Sequence, residues 1–240
     1  MAAPLTSRRG PAGVLHVVAT PIGNLGDLTL RATEILRTAQ LIACEDTRRT
    51  RALLAHLGIS GVRLVSLFEH NEERRIASLL ETLLGGSGVC LVSDAGTPTI
   101  SDPGYRLVSA CAAQGIPVVP IPGPCAAVAA LSASGLPTDR FLFLGFPPHR
   151  KGRLDAFLAE ALEPGRTAIL YAPLRRVPAL LERLATLAPD ARVVIARELT
   201  KVHEELLRGT VRELLDGVEH MTLKGECTLL VHRGKEESPP

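Results

Sequence analysis

Short apolar runs alternate with helix-patterned segments along the first 136 residues, and this alternation constrains the fold more than any other feature. Between the runs, apolar residues recur at helical spacing, as Leu30, Ile35, Leu36 and Ala39 do. The pattern predicts a doubly wound, largely parallel sheet, in which ligands bind at the carboxyl ends of the strands. The strand-like runs are "GVLHVVAT", "QLIACED", "VRLVSLFEHNEE", "GVCLVSDAG" and "IPVVPIPG", and each leads into a turn rich in polar residues, glycine or proline.

The alternation pauses at "SGLPTDR" (residues 134–140), which is typical of a linker, and then starts again. Further strand-like runs, "FLFLGF", "RTAILYA", "ARVVIARELT" and "KGECTLLVHR", are separated by helical segments. We therefore predict two α/β domains, over residues 13–136 and 137–233, the second with a mixed sheet, and flexible termini at 1–12 and 234–240.

Composition excludes several classes of protein. The 240 residues are 46% apolar, which is enough for a sizeable core, and a net charge of +2 is well short of a polybasic protein. The five cysteines and seven histidines are scattered, without C-x-x-C or H-E-x-x-H spacing, which predicts reduced thiols in a cytoplasmic protein and no metal site. The longest apolar stretch, residues 118–136, is broken by prolines and Gly123, so we expect no membrane span.

The turn "SDAGTPTISDPG" (residues 93–104) is longer than a plain surface turn. Its glycines free the backbone and its prolines restrict it, while its N–H groups and hydroxyls can bind a polar ligand without a metal. Asp94 and Asp102 bracket the turn and are candidates for a functional role. Asp102 also precedes Pro103, a pair typical of a helix start, so helix capping is an equal alternative for Asp102.

Other turns carry candidate residues that also have a structural explanation. In "TPIGNLGD", Gly23 either allows the backbone to approach a ligand closely or simply forms the turn. Glu45 and Asp46 end the second run, where an acid either binds a ribose or caps the next helix. "FEHNEER" offers His70 and Glu72 as a general base or as a solvated helix start, and "IPGPCAA" offers a rigid wall or a plain turn.

Short basic clusters occur at three places in the chain. Each alone is typical of a solvated surface, whereas clusters that flank one cleft form a track for phosphates. Aromatic residues make up only 3% of the chain, so no platform for stacking bases is visible. The candidate RNA-binding residues are Arg48, Arg49, Arg51, Arg150, Lys151, Arg153 and Arg175.

Seven ordered stretches resemble the ribosomal RNA small subunit methyltransferase I family, which belongs to the tetrapyrrole-methylase-like, S-adenosylmethionine-dependent enzymes. They are "VVATPIGNLGDLTLRATEIL", "ACEDTRRTRALLAHLGI", "FEHNE", "LVSDAGTPTISDPGYRLV", "IPGPCAAVAAL", "RELTKVHEELLRGT" and "KGECTLL". The resemblance implies two α/β domains with the cofactor S-adenosylmethionine in the cleft between them, and a homodimer. It also implies 2′-O-methylation of a decoding-centre cytidine in the 16S rRNA of the small ribosomal subunit.

The resemblance further implies which residues contact the cofactor, mostly through the backbone of loops. Together with Gly23, the candidate cofactor-binding residues are Pro21, Ala95, Gly96, Thr97, Ile100, Pro122, Cys125, Ala126, Tyr171, Ala172, Leu199, Thr200, Lys201, Cys227 and Thr228. In-line transfer of a methyl group to a hydroxyl requires alignment of the reactants and a base that takes the proton. The candidates for this base, or for orienting the ribose, are Asp94, Asp102, Glu45, Asp46, His70 and Glu72, and the sequence does not choose among them.

Two stretches depart from the family pattern. "YAPLRR" (residues 171–176) lacks the glutamate of the usual Y-E-[AS]-P-H-R and has Leu174 in place of the histidine, whereas "GFPPHRKGR" keeps the basic character of its counterpart. The sequence ends soon after "KGECTLLVHRG", where family members commonly continue with a small helical segment expected to aid RNA binding.

Three alternatives stay open: a precorrin-type tetrapyrrole C-methyltransferase, a non-catalytic ribosome-binding module, and a dinucleotide-dependent oxidoreductase, which the lack of G-x-G-x-x-G disfavours.

Overall fold

The computed structural model describes residues 13–68, 70–218 and 222–234. Of the predicted flexible termini, residues 1–12 and 235–240 lie outside the described residues, as does Glu69 of the "FEHNE" stretch. The chain divides into two compact units, which meet in the sequence between Pro124 and Cys125. Within the described part of the chain, no helix is both long enough and apolar enough to cross a membrane.

The first unit contains a parallel five-stranded sheet with helices on both faces. Its strands are β1 (Leu15–Val18), β2 (Leu41–Cys44), β3 (Arg63–Ser66), β4 (Val89–Val92) and β5 (Val118–Ile121), in the order β3-β2-β4-β1-β5. Its helices are α1 (Leu30–Thr38), α2 (Thr47–His56), α3 (Glu72–Leu84) and α4 (Tyr105–Ala113). Apolar residues of α1 and α2 pack on one face of the sheet, and those of α3 and α4 pack on the other.

Burial explains why these short runs form strands. Every residue of the inner strands β2 and β4 is buried, as expected for continuous apolar runs that are covered by helices on both faces. The edge strand β5 instead exposes Val119 and Pro120, and an edge position tolerates a proline because its missing N–H breaks no ladder bond.

The direction of winding reverses between β4 and β1, which are neighbours in the sheet. The chain leaves β1 toward α1 on one face of the sheet and leaves β4 toward α4 on the other face. Diverging connections of this kind open a crevice at the carboxyl ends of the two strands, and doubly wound sheets bind their ligands in such crevices.

The second unit contains a mixed five-stranded sheet. Its strands are β6 (Phe141–Gly145), β7 (Thr167–Pro173), β8 (Arg192–Arg197), β9 (Glu205–Thr210) and β10 (Glu226–His232), in the order β6-β7-β10-β8-β9. Only the β6–β7 pair is parallel among these described strands. Helix α5 (Ala126–Ser134) packs on one face, and α6 (Lys151–Ala161), α7 (Val177–Leu187) and α8 (Val211–Asp216) pack on the other.

The prediction of two α/β domains, one with a parallel and one with a mixed sheet, is confirmed. The boundary between the two compact units, at 124/125, precedes the predicted boundary at 136/137. The reason is that α5 packs on the second sheet, where Ala130 lies with Leu230. The second unit also contains a strand, β9, that the sequence pattern does not indicate. Its sequence "ELLRGT" forms a charged, partly exposed edge strand, which resembles a loop in composition.

Candidate functional site

The loop after β4, residues 93–104, is hydrogen-bonded to the segments that follow all four other strands of the first sheet. After β1, the backbones of Thr20 and Gly96 exchange two hydrogen bonds (2.9 and 3.0 Å), and after β2, the backbone N–H of Asp46 donates to the Asp94 carboxylate (3.0 Å). After β3, the Glu72 carboxylate accepts from the backbone N–H of Gly104 (3.1 Å), and after β5, the carbonyl of Pro124 accepts from the Thr97 hydroxyl (3.0 Å). The polar turns therefore meet around this loop, as the strand–helix alternation predicts.

The backbone of this loop is strained, and the surrounding contacts hold it in place. Thr99 and Ser101 have φ values of 75° and 66°. This left-handed conformation costs a non-glycine residue about 1 kcal/mol or more. Gly104 has a φ of 119°, and a Cβ atom there would lie 2.6 Å from Cδ2 of Leu91 in β4, so only glycine fits. Strain that is imposed by neighbouring structure is common at ligand-binding sites.

Asp102 does not cap a helix, so that alternative for Asp102 is wrong. Helix α4 begins at Tyr105, and its N-cap residue, Gly104, has no side chain to form a cap. The Asp102 side chain is instead half-buried beside the Ser93 hydroxyl. Burial raises the pKa of Asp102 to about 6, and the charges of Glu45 and Asp94 act in the same direction, against the hydrogen bond from Ser93. Asp102 is therefore a carboxylate that changes its protonation state just below neutral pH.

Glu45 and Asp46 are adjacent but have different environments. Asp46 is the N-cap of α2, where its carboxylate accepts a hydrogen bond from the backbone N–H of Arg48 at 2.8 Å. The hydrogen bonds from the Arg48 side chain and backbone lower the pKa of Asp46 to about 2. Burial raises the pKa of Glu45, and the Asp94 charge adds to this, although a hydrogen bond from the Asp94 backbone N–H opposes it. The capping alternative thus applies to Asp46, while Glu45 faces the loop after β4.

Asp94 lies at the centre of the polar contacts. One carboxylate oxygen accepts the hydrogen bond from the backbone of Asp46, and the other lies 3.4 Å from Nε of Arg49. Pro21, Arg49 and Asp94 also line one cavity of about 290 Å³ in the first unit. Three residues predicted separately, for cofactor, RNA and catalysis, are therefore brought together around one space.

Of the last two candidates for the base, His70 and Glu72, only one contacts the loop after β4. Glu72 is buried, and its carboxylate accepts the hydrogen bond from Gly104 described above. His70 is exposed and packs edge-on to Phe68, with ring centroids 6.5 Å apart. Glu72 therefore anchors the loop, and His70 lies on the turn before α3, away from the loop's hydrogen bonds.

The candidate cofactor-binding residues of the first unit differ in exposure. Gly23, Ala95, Ile100 and Pro122 are exposed and therefore accessible to a ligand. Pro21 and Thr97 are half-buried, and Gly96 is buried in its bridge with Thr20. The exposed members lie on three turns at the carboxyl edge of the sheet, after β1, β4 and β5.

The candidate cofactor-binding residues of the second unit gather at one end of its sheet. Tyr171 and Ala172, near the end of β7, pair in register with Thr228 and Cys227, near the start of β10. The Cys227 thiol donates to the carbonyl of Ala172 at 3.3 Å, and burial raises the pKa of this thiol to about 12, so it stays neutral.

Tyr171 ties helix α5 to this end of the sheet. Its hydroxyl accepts a hydrogen bond from the backbone N–H of Ala127 at 3.2 Å, and its ring packs edge-on against Phe143 and Phe146. Because Cys125 and Ala126 directly precede Ala127, this contact positions both candidate residues at the start of α5.

The turn after β8 holds Leu199, Thr200 and Lys201 in a strained conformation. Thr200 has a φ of 66° and Glu198 a φ of 48°. The Glu198 carboxylate accepts hydrogen bonds from the backbone N–H of Glu226 (3.1 Å) and from the Lys201 ammonium (3.0 Å). The bond from Glu226 is the largest cause that lowers the pKa of Glu198. Glu198 therefore fixes the turn to the start of β10.

The candidate RNA-binding residues separate into two groups. Arg48 and Arg49 are engaged with Asp46 and Asp94, and Arg51 is exposed on α2. The four remaining candidates are exposed and belong to the second unit, namely Arg150, Lys151, Arg153 and Arg175.

The unusual "YAPLRR" stretch has a structural explanation in the second unit. Leu174, at the position where the family usually has histidine, is fully buried in the apolar core. The guanidinium of Arg176 donates to the carbonyls of Pro147 and Pro148 at 2.6 and 2.9 Å, which holds the segment after β6.

Sequence reasoning missed three residues that hold candidate segments in place, two in the first unit and one in the second. Thr20 is buried, and its hydroxyl donates to the carbonyl of Ser93 at 3.1 Å. Ser93 is buried beside Asp102, and Glu198 holds the turn of the second unit. Each is a polar residue at the end of an apolar strand run, and this position is the signal in the sequence that could have identified it.

Comparison with known proteins gives a consistent result. Residues 14–215 match the model of the family described as Tetrapyrrole (Corrin/Porphyrin) Methylases. The chain is 50% identical over 234 residues to "Ribosomal RNA small subunit methyltransferase I" of Escherichia coli O157:H7, covering 95% of this chain and 81% of the relative. It is 44% identical over 221 residues to the protein of the same name from Hydrogenobaculum sp. (strain Y04AAS1), covering 91% of this chain and 95% of the relative.

The fold is similar to the folds of two solved tetrapyrrole methyltransferases. Uroporphyrin-III-C-methyltransferase from Thermus thermophilus superposes with a TM-score of 0.63 at 26% identity, covering 92% of this chain and 94% of that chain. A cobalt precorrin-4 methyltransferase superposes with a TM-score of 0.64 at 17% identity, covering 91% of this chain and 94% of that chain, which shows similarity of the fold alone.

Proposed function

Because the chain belongs to the ribosomal RNA small subunit methyltransferase I family of tetrapyrrole methylases, we propose that it methylates small-subunit ribosomal RNA with S-adenosylmethionine as methyl donor. The observation that carries this proposal is identity of 44–50% to relatives of that one name over nine-tenths or more of the chain. Identity to the uroporphyrin methyltransferase is only 26%, so a tetrapyrrole substrate is the less favoured alternative. The matched family model and the relatives named above are methyltransferases, which disfavours an oxidoreductase.

The candidate cofactor-binding residues fit a polar ligand in each unit taken by itself. S-adenosylmethionine supplies a methyl group on a positively charged sulfur. In the first unit, Ala95 and Ile100 are exposed on the loop after β4. In the second unit, the Thr200 hydroxyl is buried and lacks a hydrogen-bond partner among the described residues, which is a costly state that a ligand atom would relieve. That both units contribute to cofactor binding stays a prediction.

Among the six candidates for the base, we propose Asp102. Its pKa of about 6 makes it ionised at neutral pH and a stronger base than an ordinary aspartate. Asp46 is a weak base with a capping role, Glu72 anchors Gly104, and Asp94 is held by Asp46 and Arg49. Glu45, the other carboxylate with a raised pKa, is the second choice. The task of Asp102 is then to accept the proton of the hydroxyl that is methylated.

The resemblance supports finer proposals about substrate and assembly. The proposed acceptor is the 2′-hydroxyl of a decoding-centre cytidine in 16S rRNA. The proposed state is a homodimer in the cytoplasm. The names of the relatives support the rRNA substrate but carry neither the nucleotide nor the oligomeric state.

The test is transfer of labelled methyl from S-adenosylmethionine by the full chain. The acceptors are small ribosomal subunits from a strain that lacks this modification, and uroporphyrinogen III as the alternative substrate. We expect label only in the rRNA, and mass spectrometry of nuclease fragments then identifies the nucleotide. Label in the tetrapyrrole would contradict the proposal. Cofactor binding and subunit binding without transfer would instead support the non-catalytic alternative.

A further inference from the structure

The cavity of about 290 Å³ in the first unit lies between α2 and the turns after β1 and β4. Its lining includes the apolar side chains of Leu25 and Leu53 and the ring of Pro21, together with polar residues among which Arg49 and Asp94 lie side by side. A volume at the lower end of the range for ligand pockets suits one ring system rather than an entire nucleoside cofactor. Apolar contacts combined with hydrogen-bonding groups are the features with which enzymes hold an extruded base.

One face of α2 is directed at this cavity. Arg49, Ala52, Leu53 and His56 line it, at the spacing i, i+3, i+4 and i+7 that forms one side of a helix. Ala55, an exposed residue of the same helix, is absent from the lining. The helix therefore offers a lining position and a matched position outside the cavity, both occupied by alanine.

Arg49 and Asp94 place a donor side chain beside an acceptor side chain in this lining. Nε of Arg49 lies 3.4 Å from one Asp94 oxygen, and the bond from the Asp46 backbone fixes the other oxygen. Cytosine has an amino donor next to a ring-nitrogen acceptor, which complements this arrangement, and aspartate and arginine are established partners for such groups. Uracil has an acceptor and a ring N–H at the same two positions, so the pair opposes it.

We propose that this cavity receives the base of the nucleotide to be methylated, and that Arg49 and Asp94 select cytosine over uracil. The inference rests on the proposed function, since it names the subsite where that reaction takes its substrate. The base must leave its stack to enter, as the target base does in enzymes that flip a base into a pocket.

The first test fills the cavity. Ala52→Trp adds a large ring at an exposed position that lines it, and Ala55→Trp adds the same ring outside it. For Ala52→Trp we expect methyl transfer to unmodified small subunits to fall at least about 100-fold, the scale on which misplacing a reactant acts. Binding of S-adenosylhomocysteine, measured by calorimetry, should stay close to wild type, and Ala55→Trp should transfer normally.

The second test changes Arg49, one of the two residues proposed to select cytosine. Arg49→Met removes the donor and keeps an unbranched side chain. Wild-type protein should prefer subunits with the target cytidine over otherwise identical subunits with uridine by about 10-fold or more. In Arg49→Met this ratio should fall toward one, whereas a purely structural role of Arg49 would slow both substrates equally.

Each outcome separates the two proposals. Normal transfer by Ala52→Trp, or an unchanged cytidine-to-uridine ratio in Arg49→Met, would overturn the inference and leave the proposed function intact. Loss of S-adenosylhomocysteine binding in Ala52→Trp alone would assign the cavity to the cofactor instead. A wild-type chain that binds the donor product but methylates no small subunit would overturn the proposed function, and this inference with it.

Discussion

The Glu72 carboxylate accepts a hydrogen bond at 3.1 Å from the backbone N–H of Gly104, a residue 32 positions later in the chain. Glu72 opens α3, and Gly104 ends the loop after β4, so the bond joins two connections of the sheet. It satisfies a buried N–H in a residue whose φ of 119° only glycine adopts readily. Glu72 thus stabilises the conformation of the loop after β4.

Glu72→Ala should lower the free energy of unfolding by about 1–3 kcal/mol, because it leaves the buried N–H of Gly104 without a partner. Urea denaturation followed by circular dichroism measures this change. Glu72→Gln keeps an acceptor oxygen and should lose less. Glu73→Ala is the matched control, since its side chain is 83% exposed and pairs only with Arg106 among the described ion pairs, and it should change stability by less than about 0.5 kcal/mol. Equal losses for Glu72→Ala and Glu73→Ala would contradict the anchoring role.

The bond between Glu72 and Gly104 is a tertiary contact that the sequence pattern does not predict. Strand–helix alternation predicts both sheets, because burial on both faces requires continuous apolar runs such as Leu41–Cys44. The Asp102–Pro103 pair predicts a helix start from local propensity. In the structure the helix instead begins at Tyr105, because tertiary contacts such as that of Glu72 hold the preceding residues in the loop. A local sequence pattern does not contain such contacts.

The candidate site was predictable to a similar extent. Polar residues at strand ends predict that Asp94, Glu45 and Pro21 share one edge, because parallel strands end together. Which carboxylate is buried, and which is paired with an arginine, depends on side-chain packing. Asp46 and Asp102 look alike in sequence, yet hydrogen bonds from Arg48 lower the pKa of Asp46 to about 2, whereas burial raises the pKa of Asp102 to about 6.

Asp102→Asn should reduce methyl transfer at pH 7.5 by about 100- to 10,000-fold, the usual contribution of a general base. In the wild type, the single-turnover rate should rise with pH up to about 7 and then level, since Asp102, with a pKa of about 6, must be ionised to accept a proton. Asp139→Asn, at an exposed position, should keep the wild-type rate and profile. A normal rate in Asp102→Asn would move the role of base to Glu45.

The same substitution should leave stability intact or increase it at pH 7. A carboxyl whose pKa is about 6 in the folded state and about 3.9 in the unfolded state binds its proton more tightly when folded. The favourable contribution of this carboxyl to the free energy of unfolding is therefore complete below about pH 4 and is lost as the pH rises through 6. Because asparagine resembles the protonated form, Asp102→Asn should flatten this part of the pH–stability curve, measured by urea denaturation from pH 4 to 8. A steeper curve would contradict the buried environment.

Glu198→Gln should show the opposite dependence on pH. The hydrogen bond from the Glu226 backbone lowers the pKa of Glu198 in the folded state. The contribution of ionised Glu198 to the free energy of unfolding is therefore present above the pKa of the unfolded state and is lost as the pH falls through the pKa of the folded state. Glutamine keeps an acceptor oxygen for the Glu226 N–H but loses the charge that strengthens this bond and pairs with Lys201, so it should remove about 0.5–1.5 kcal/mol at pH 7 and much less in acid. It should also weaken binding of S-adenosylhomocysteine, since the bond that ties the turn carrying Thr200 to β10 becomes weaker. Glu182→Gln, exposed on α7, should change neither quantity.

Removing the basic start of α6 should weaken RNA binding and reduce its dependence on salt. Arg150, Lys151 and Arg153 are exposed at the N-terminus of α6, where the helix dipole disfavours cations and no acidic side chain in the first turn compensates. An external phosphate would satisfy these charges. The triple alanine variant should therefore lower the slope of log affinity against log salt by about 0.7–0.9 for each RNA phosphate that these cations neutralise in the wild type. Arg192→Ala, at the opposite end of the second sheet, is the control and should keep the wild-type slope. A triple variant with the wild-type slope would show that the RNA does not contact the start of α6.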